Sequence, residues 1–332
     1  MDSNEKTVLV TGGGGYIGSH TCKALAESGY TPISYDNLST GHAELVKWGP
    51  LEVGDVGDAK RVKEVLEKYR PSACIHFAGY IQVGESVLNP GRYYQNNVSG
   101  TLVLLEALLE SGVMGFIFSS SAAVYGTPQT SPIPDDHLLT PINPYGESKR
   151  IVEGILGDFG TAHGMRSVSL RYFNAAGADP DGESGELHDP ETHLIPLVLQ
   201  AAIGKRSDIT VFGDDYGTPD GTCLRDYIHV TDLARAHVLA LEMIGYGVTA
   251  RAFNLGNGKG FSVMEVIREA ERITGKRIPV VLGGRRRGDP PVLVADSSRA
   301  RVELGWAPRY PGLDEIIGTA WRFYSARETV EK

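Results

Sequence analysis

The sequence predicts an α/β fold in which a doubly wound parallel sheet is followed by a second, smaller α/β domain. Two observations support this prediction. Short β-prone segments alternate with amphipathic helical segments through the first half of the chain, and a glycine-rich turn connects the first strand to the first helix. Such alternation is typical of parallel strands joined by helices that cover both faces of one sheet.

The glycine-rich turn predicts a dinucleotide site. The strand at residues 7–10 leads into Gly12, Gly15 and Gly18, and a helix follows. Glycines permit a tight turn, and backbone N–H groups at the helix N-terminus receive a pyrophosphate. The next strand ends at Asp36, whose carboxylate would accept hydrogen bonds from ribose hydroxyls and repel a 2′-phosphate. This order of features predicts a Rossmann-type site for NAD rather than NADP, whereas the glycines alone also fit a hairpin or a linker.

The remaining elements complete two predicted domains. Loop residues concentrate beyond Asn174, so we place an NAD-binding domain at residues 1–176 and a second, smaller domain, the candidate substrate domain, at 177–332, with some segments of the second returning to the first. Further strands are predicted at 31–36, 51–53, 73–77, 115–118, 167–172, 209–212, 252–255 and 278–282. Helices are predicted at 62–69, around 94–97, from Tyr145 onward, and at 194–203, 233–243, 263–274 and 313–324.

Composition excludes several classes of function. The 332 residues carry a formal net charge of −9, which argues against general affinity for nucleic acid or anionic membrane. The N-terminus is polar and no stretch approaches the roughly 20 apolar residues of a membrane span, so a cytoplasmic protein is expected. The three cysteines are scattered, which predicts reduced thiols, and no metal site is expected.

A second motif lies at the other end of the first domain. Tyr145 and Lys149 are four residues apart and Pro144 suits the first helical position, so both side chains are predicted on one helix face. An ammonium beside a phenol lowers the pKa of the phenol, which allows a tyrosine to act as a general base near neutral pH. The strand at 115–118 leads to Ser121 at the ligand-binding edge of the sheet. The alternatives are a packed tyrosine with a solvated lysine, and a serine that satisfies backbone groups at a turn.

The chain resembles the extended short-chain dehydrogenase/reductase family in the positions of Gly12, Gly15, Gly18, Ser121, Tyr145 and Lys149. Longer strings are similar to the UDP-glucose 4-epimerase group of that family: HFAG at 76–79, VGES at 83–86, SSSAAVYG at 119–126, NPYGESK at 143–149, LRYFN at 170–174 and RDYIHVTDLA at 225–234. The similarity extends from about residue 8 to residue 306, nearly the whole chain.

The resemblance implies an isomerase that interconverts UDP-galactose and UDP-glucose through a 4-keto sugar, with NAD retained as cofactor. Tyr145, as phenolate, would remove the proton of the 4-hydroxyl while NAD⁺ takes the hydride from C4. Lys149 would lower the tyrosine pKa and hold the nicotinamide ribose, and Ser121 would share the hydrogen bond to the reacting oxygen. The 4-keto sugar would turn over in the pocket and receive the hydride on its other face.

The same resemblance implies two sets of binding residues. The cofactor set is Gly12, Gly15, Tyr16, Ile17, Gly18, Asp36, Asn37, Asp55, Val56, Phe77, Ala78, Gly79, Asn96, Tyr145, Lys149, Tyr172 and Phe173. The substrate set is Ser121, Tyr145, Asn174, His193, Leu194, Phe212, Arg225, Arg286 and Asp289. Arginine suits a diphosphate because its planar donors bind two oxygens, although the arginine run at 285–287 is alternatively a solvated loop.

Departures from the family pattern refine these expectations. Ala122 and Ala123 stand where sugar-nucleotide 4,6-dehydratases carry an acidic pair, so neither dehydration nor the related decarboxylation is expected. Ile81 replaces a lysine of many members and removes one cationic contact near the cofactor, and His193 replaces an asparagine of some relatives. Leu293 replaces a bulky tyrosine of some relatives, which predicts room for N-acetylated sugars.

Three other functions stay open at this level: a 4-epimerase for UDP-pentoses such as UDP-xylose and UDP-arabinose, a net oxidoreductase, and a non-catalytic NAD-binding regulator. The presence of Ser121, Tyr145 and Lys149 together argues against the regulator. A net oxidoreductase would consume free NAD and release NADH. The resemblance also implies a homodimer through helices near 90–109 and 145–163.

Overall fold

The computed structural model describes residues 6–248, 250–286 and 290–330. Its first part alternates strands with helices and confirms the predicted α/β class. In order, the elements are β1 (Thr7–Thr11), α1 (Tyr16–Glu27), β2 (Thr31–Asp36), β3 (Leu51–Val53), α2 (Ala59–Tyr69), β4 (Ala73–His76), α3 (Val83–Leu88), α4 (Pro90–Tyr93), a π-helical segment (Tyr94–Gly100), α5 (Thr101–Glu110), β5 (Gly115–Ser121), α6 (Pro144–His163) and β6 (Arg166–Tyr172).

The later elements include shorter strands and four long helices. They are β7 (Asn174–Ala176), α7 (Leu194–Ala202), β8 (Ile209–Phe212), β9 (Leu224–His229), α8 (Val230–Ile244), β10 (Arg251–Leu255), β11 (Gly260–Ser262), α9 (Val263–Thr274), β12 (Val280–Gly283), β13 (Val292–Leu293), α10 (Ser298–Glu303) and α11 (Leu313–Val330). None of the helices in the described ranges combines the length and apolar character that crossing a membrane requires.

The central sheet has seven parallel strands in the order β10-β6-β5-β4-β1-β2-β3. The chain starts at β1, proceeds outward through β2 to β3, and then crosses back to β4 on the other side of β1. Strand order therefore reverses between β1 and β4, and the crevice beyond the carboxyl ends of these two strands is where such sheets bind ligands.

Both faces of this sheet are buried, as the nearly continuous apolar sequence of β1 requires. Val8 and Val10 point into one apolar cluster, which also contains Ile75 of β4, while Leu9 points into the opposite cluster with Phe116 of β5. Successive side chains of a strand alternate between faces, so a strand covered on both sides is apolar throughout.

Part of the chain beyond the predicted domain boundary returns to the first sheet. β10 extends the edge of the sheet by pairing with β6, and α8 packs against α1. The other late strands form a separate four-stranded sheet around β9 and a two-stranded sheet of β8 and β12. These pack with α7, α9 and α11 around their own apolar core. The division at residues 176 and 177 stays a prediction.

The structure differs from the predicted elements at several of their ends, and it contains β7, β9, β11, β13 and α10, which were not predicted. β5 continues to Ser121, because the three serines pair with residues 170–172 of β6. α8 begins at Val230, earlier than predicted, and the His229 side chain caps it by accepting the N–H of Thr231 at 3.2 Å. The helix expected around 94–97 belongs to a longer helical stretch that contains the π-helical segment.

Candidate functional site

The predicted catalytic side chains meet at the carboxyl edge of β5. Ser121 is the last residue of that strand, and Tyr145 lies in the first turn of α6. The helix begins there because the Asn143 side chain accepts the N–H of Gly146 at 2.8 Å and Pro144 occupies the first turn. Lys149 follows one turn later, so α6 presents the tyrosine and the lysine on the face that covers β5.

All three side chains are buried, and burial dominates their protonation. Lys149 is 4% exposed and donates from Nζ to the Ser119 carbonyl at 2.8 Å. Burial lowers the pKa of Lys149 to about 8, while the charge of Glu153 opposes this shift. Burial raises the pKa of Tyr145, and a hydrogen bond with Ser121 opposes it. The lowering by Lys149 that the spacing predicts is therefore not the dominant effect on Tyr145 in the protein as described.

The glycine turn forms a cradle that side chains would fill. Gly12 has φ +74°, and a Cβ on it would lie 2.7 Å from the backbone nitrogen of Ala78. A Cβ on Gly18 would lie 2.1 Å from the Gly12 carbonyl oxygen, because α1 starts directly against β1. Gly15 precedes the first turn of α1, which contains Tyr16 and Ile17. The turn therefore brings the N-terminus of α1 up to the reversal between β1 and β4, as a pyrophosphate site requires.

The acidic residue predicted at the ribose lies at the end of β2. Asp36 accepts the N–H of Gly14 at 2.9 Å and the N–H of Leu38 at 2.8 Å, which fixes its carboxylate beside the glycine turn. Asn37 donates to the Asp55 carboxylate at 2.8 Å. The predicted residues at the ends of β2 and β3 are therefore linked to one another directly.

A cavity of about 310 Å³ lies next to these residues. Asp55 and Asn96, both predicted, line it together with Tyr80 and Arg92, which were not predicted. The guanidinium carbon of Arg92 lies 4.0 Å from the centroid of the Tyr80 ring. Val56 is buried nearby in the apolar cluster of that face.

The segment after β4 connects the glycine turn to Lys149. Phe77 follows β4 and packs against His237, with 4.6 Å between ring centroids, and Ala78 faces Gly12. A Cβ on Gly79 would lie 3.2 Å from Asn97 Oδ1 and 3.8 Å from Lys149 Nζ. Residues 77–79 thus lie between the glycine turn and Lys149.

Asn97 is a residue of the site that the sequence analysis did not select. It is buried in the π-helical segment, where its Oδ1 accepts the N–H of Tyr80 at 2.9 Å. Its amide nitrogen donates to the Tyr80 carbonyl at 3.0 Å and to Ser148 Oγ at 3.2 Å. Asn97 therefore ties the loop after β4 to α6. An isolated π-helical turn is often found at functional sites, but its position has no sequence signature comparable to the glycine turn.

A buried ion pair behind the predicted catalytic residues was not selected by the sequence analysis. Glu153 and Arg171 are paired at 2.6 Å, and both side chains are less than a tenth exposed. Ser120 donates to Glu153 at 2.5 Å, and Arg171 donates to the Tyr125 hydroxyl at 2.9 Å. These bonds connect α6 to β5, to β6 and to the turn after Ser121, so they fix the frame on which Tyr145 and Lys149 lie.

Two aromatic residues, Tyr172 at the end of β6 and Phe173 directly after it, lie beside the predicted catalytic residues. The Tyr172 hydroxyl is hydrogen-bonded to Ser119 Oγ, and the negative charge that Tyr145 carries when ionised contributes to raising the pKa of Tyr172. Phe173 packs on the apolar cluster formed by Ala122, Val124, Tyr125 and Ile133. Asn174 begins β7 and donates to the Asp226 carbonyl at 3.0 Å.

The other predicted substrate residues are distributed over the later elements. Arg225 lies in β9 opposite Leu293 of β13. The Arg286 guanidinium lies 3.9 Å from the ring centroid of Phe212, at the end of the β8–β12 pair. Arg285 instead pairs with Asp215 at 2.7 Å, so Arg285 and Arg286 each have a partner within the chain, and Arg287 lies outside the described residues. Asp289 lies outside the described residues.

His193 and Leu194 mark the start of α7. Leu194 is its first residue, and His193 precedes it. The His193 Nδ1 contacts the Glu186 carboxylate, which raises the pKa of His193 to about 9. The imidazole predicted to contact UDP is thus engaged through Nδ1 within the chain.

Comparison with known proteins decides the family. The model of the NAD dependent epimerase/dehydratase family matches residues 8–256. The chain belongs to this family. The UDP-glucose 4-epimerase of Rhizobium leguminosarum bv. trifolii is 53% identical over 320 residues, which cover 96% of this chain and 98% of the relative.

Solved structures of the family agree. The UDP-glucose 4-epimerase of Brucella ovis in complex with NAD is 54% identical, with a TM-score of 0.94 and coverage of 96% of this chain and 98% of that one. The UDP-glucose 4-epimerase of Bifidobacterium longum in complex with NAD⁺ and UDP is 40% identical, with a TM-score of 0.91 and coverage of 97% and 99%. The resemblance drawn from the sequence motifs is therefore confirmed.

The first prediction concerns the buried charge of Lys149. Its pKa of about 8, against an ordinary 10.5, corresponds to roughly 3 kcal/mol of unfavourable burial. Lys149→Met removes this cost and loses one hydrogen bond to Ser119, worth roughly 1 kcal/mol. We therefore expect the variant to unfold at an equal or higher temperature than the original protein near pH 7, while losing catalysis.

The pH dependence of thermal unfolding tests whether the buried Lys149 charge destabilises the folded protein. Because the folded-state pKa is depressed, the unfolded chain binds more protons between pH 8 and 10.5, and the stability of the original protein rises over that window. The advantage of the variant in thermal unfolding should therefore shrink as the pH rises through this range. Lys60→Met, at an exposed position of α2, is the control and should show no such trend. A Lys149→Met variant less stable at every pH would contradict the argument.

Proposed function

We propose that this chain catalyses the reversible epimerisation of UDP-galactose and UDP-glucose at C4, with NAD held throughout the cycle. The observation that carries the proposal is the convergence of Ser121, Tyr145 and Lys149 beside the glycine cradle, in a chain about half identical to UDP-glucose 4-epimerases. On this proposal the redox cofactor and the proton-transfer group lie at the same edge of one sheet.

The chain's own residues supply the proton transfer. Tyr145 takes the proton of the 4-hydroxyl as that carbon becomes a ketone, and returns it when the ketone is reduced. The Ser121 hydroxyl, already hydrogen-bonded to Tyr145, shares the bond to the reacting oxygen. Lys149 lies with Nζ 5.9 Å from the Tyr145 ring centroid, so its charge favours the phenolate that forms.

NAD, when bound, supplies the hydride acceptor and donor that this reaction needs. The turn at Gly12, Gly15 and Gly18 suits its pyrophosphate, because a Cβ on Gly12 or Gly18 would collide with backbone and only glycine there lets the N-terminus of α1 lie against β1. Asp36 lies where a carboxylate would accept hydrogen bonds from the adenosine ribose hydroxyls, and a carboxylate at that position disfavours a 2′-phosphate. Lys149 and the residues following β4 line the path from this cradle to Ser121.

Epimerisation also requires a ligand that is bound tightly through its diphosphate while its sugar can turn over in the pocket. Arg225 and Arg286 offer planar donors for the diphosphate. Phe212 contacts Arg286, and the other predicted substrate residues of this region are Asn174 of β7 and Leu194 of α7. The sugar side is small and apolar at Ala122 and Ala123, which supply no acid for dehydration. The ketone is therefore expected to be reduced again and not to eliminate water.

Leu293 faces the same region. It packs on the apolar cluster that begins at Ala122, directly after the catalytic Ser121, and its strand pairs with β9 at Arg225. A residue there lies near Ala122, which the proposal assigns to the sugar end, and near Arg225, which it assigns to the diphosphate end. We infer that a leucine leaves room for a 2-acetamido group that a tyrosine would fill.

We further propose that the protein acts as a cytoplasmic homodimer. The three cysteines are free and buried, as expected in a reducing compartment. The helices expected to pair between copies are α4, α5 and α6, and Leu102 on α5 is an exposed apolar side chain there.

Tyr145→Phe tests the proposed proton transfer. Removal of the hydroxyl should lower kcat for UDP-galactose by about 10²- to 10⁴-fold, the usual contribution of a general base, with NAD content unchanged. Turnover is measured by coupling UDP-glucose formation to UDP-glucose dehydrogenase. The control is Tyr69→Phe on α2, which removes a hydroxyl that donates to Glu52 of β3. This variant should retain full activity. Tyr145→Phe with unaltered kcat would remove the basis of the mechanism.

Leu293→Tyr tests substrate range. The larger ring should lower kcat/KM for UDP-N-acetylglucosamine by roughly 10- to 100-fold while UDP-galactose conversion is largely retained. Leu293→Met, which preserves volume, serves as the matched control. If the original protein converts UDP-galactose but not UDP-N-acetylglucosamine, the inference about Leu293 is wrong.

A further inference from the structure

A cluster of metal-ligating side chains lies outside the proposed catalytic residues. It occupies the segment between β7 and α7 and contains two carboxylates and two imidazoles whose ligating atoms all lie within 4.8 Å of one another. Its members, which we call the loop cluster, are Glu186, His188, Glu191 and His193. The spacing E-x-H-x-x-E-x-H lies in a predicted loop, and the sequence analysis expected no metal there.

Both imidazoles point the same ring atom into the cluster. His188 Nδ1 lies 2.9 Å from Glu186 Oε1 and 4.0 Å from Glu191 Oε1. His193 Nδ1 contacts the same oxygen of Glu186 and lies 3.9 Å from Glu191 Oε1. The two rings meet nearly edge to face, with centroids 5.2 Å apart. The four side chains therefore surround one point instead of forming two separate pairs.

Glu191 shows that protons and internal hydrogen bonds do not complete this arrangement. Its side chain is 5% exposed, and its Oε1 accepts the N–H groups of Thr192 and His193 at 2.7 and 2.8 Å. Its Oε2 is buried and has no hydrogen-bond partner within the described residues. A buried carboxylate oxygen without a partner is costly. The histidine contacts of Glu191 involve Oε1 and leave Oε2 in this state, whereas a cation bound by the Glu191 carboxylate would compensate its buried charge.

The second acidic cluster of the chain provides a contrast. Asp179, Asp181 and Glu183 also lie within reach of one another, but Lys23 Nζ sits among them at 2.9, 2.9 and 2.7 Å. That cluster already contains its cation. The loop cluster has no lysine or arginine among its ion-pair partners in the described part of the chain.

The segment that carries the loop cluster is fixed from several sides. The Tyr324 hydroxyl of α11 donates to the Glu186 carbonyl at 3.0 Å, and His42 Nε2 contacts the Leu187 carbonyl at 2.8 Å. The Tyr16 ring packs edge-on against His188, with centroids 6.2 Å apart. The ligands are thus positioned by their surroundings before any ion binds, which favours a structural site.

We propose that the loop cluster binds one divalent transition metal ion, with zinc as the representative ion. Two imidazoles and two carboxylates suit zinc and similar ions, whereas magnesium and calcium prefer oxygen ligands alone. Four-coordinate geometry with bonds of about 2 Å places ligand atoms roughly 3.4 Å apart, so small side-chain rotations suffice. Two carboxylates with two neutral imidazoles carry a charge of −2, which the ion neutralises.

The ion has a structural consequence next to the proposed substrate. His193 directly precedes Leu194, the first residue of α7, and both were predicted at the UDP. A metal bound to His193 fixes the start of α7 and also joins it to the segment that contacts Tyr16 beside the glycine cradle. The site is separate from the proton-transfer residues, so metal binding and catalysis are tested independently.

Metal content measures the site without reference to catalysis. The full chain, purified without a metal-binding tag, is equilibrated with micromolar zinc, dialysed against metal-free buffer, and analysed by inductively coupled plasma mass spectrometry. We expect about one zinc per chain and a rise in the thermal unfolding midpoint of roughly 3 °C or more in the presence of zinc. Cobalt should give the visible absorption bands of a four-coordinate site with nitrogen and oxygen ligands.

Variants assign the binding to these residues. His188→Gln and Glu191→Gln should each lower zinc affinity by at least ~100-fold, because loss of an outer-shell partner alone typically costs 10–100-fold. Either variant that remains folded by circular dichroism decides the matter. His163→Gln, on α6, and Asp181→Asn, in the cluster occupied by Lys23, should retain full zinc content. Absence of bound zinc in the original protein, or equal zinc content in a folded His188→Gln variant, would overturn the proposal.

Discussion

The close approach of α1 to β1 is the constraint on which the rest of the structure depends. A Cβ on Gly18 would lie 2.1 Å from the Gly12 carbonyl, and one on Gly12 would lie 2.7 Å from the backbone of Ala78. Only glycine allows the turn, the helix and the segment after β4 to meet at this distance. That meeting places a helix N-terminus at the reversal of strand order, and the cofactor cradle follows from it.

Catalysis is proposed to use groups that the fold holds at a cost. Lys149 is buried with its ammonium bonded to a carbonyl, and the nearby carboxylate of Glu153 is already paired with Arg171. Removing a charged group from water is unfavourable unless other groups compensate. Here the compensation comes from α6, β5 and β6 together, so the same bonds that join these elements also position Tyr145. The burial of Tyr145 and Lys149 strengthens the effect of each charge on the reacting oxygen.

Much of this organisation could be predicted from the sequence, because local signals specify it. The glycine spacing, the acid at the end of β2 and the asparagine and proline before α6 are each read within a few residues. Features that depend on distant parts of the chain could not be predicted. Asn97 owes its role to a π-helical turn, and Arg171 and Glu153 meet only because β6 and α6 pack together. The sequence analysis expected some later segments to return to the first domain, but which strand does so, β10, depends on long-range pairing.

The loop cluster is another feature that could not be predicted from local sequence signals. Its four residues lie within eight positions, yet the surrounding sequence is irregular, and the convergence of both histidines on Glu186 appears only in three dimensions. His193 was selected through the family resemblance as a UDP contact, and the structure shows its Nδ1 turned toward Glu186. The role of His193 at the UDP stays a prediction, and its contact with Glu186 was not predicted.

The most direct test of the central claim is to incubate the purified protein with UDP-galactose, without added NAD, and to follow UDP-glucose together with the absorbance of reduced nicotinamide. The proposed function predicts UDP-glucose formation to equilibrium with no lasting accumulation of reduced nicotinamide, because the hydride removed from C4 returns to the same sugar. A requirement for stoichiometric added NAD with release of NADH, or no product from protein shown to contain NAD, would contradict it.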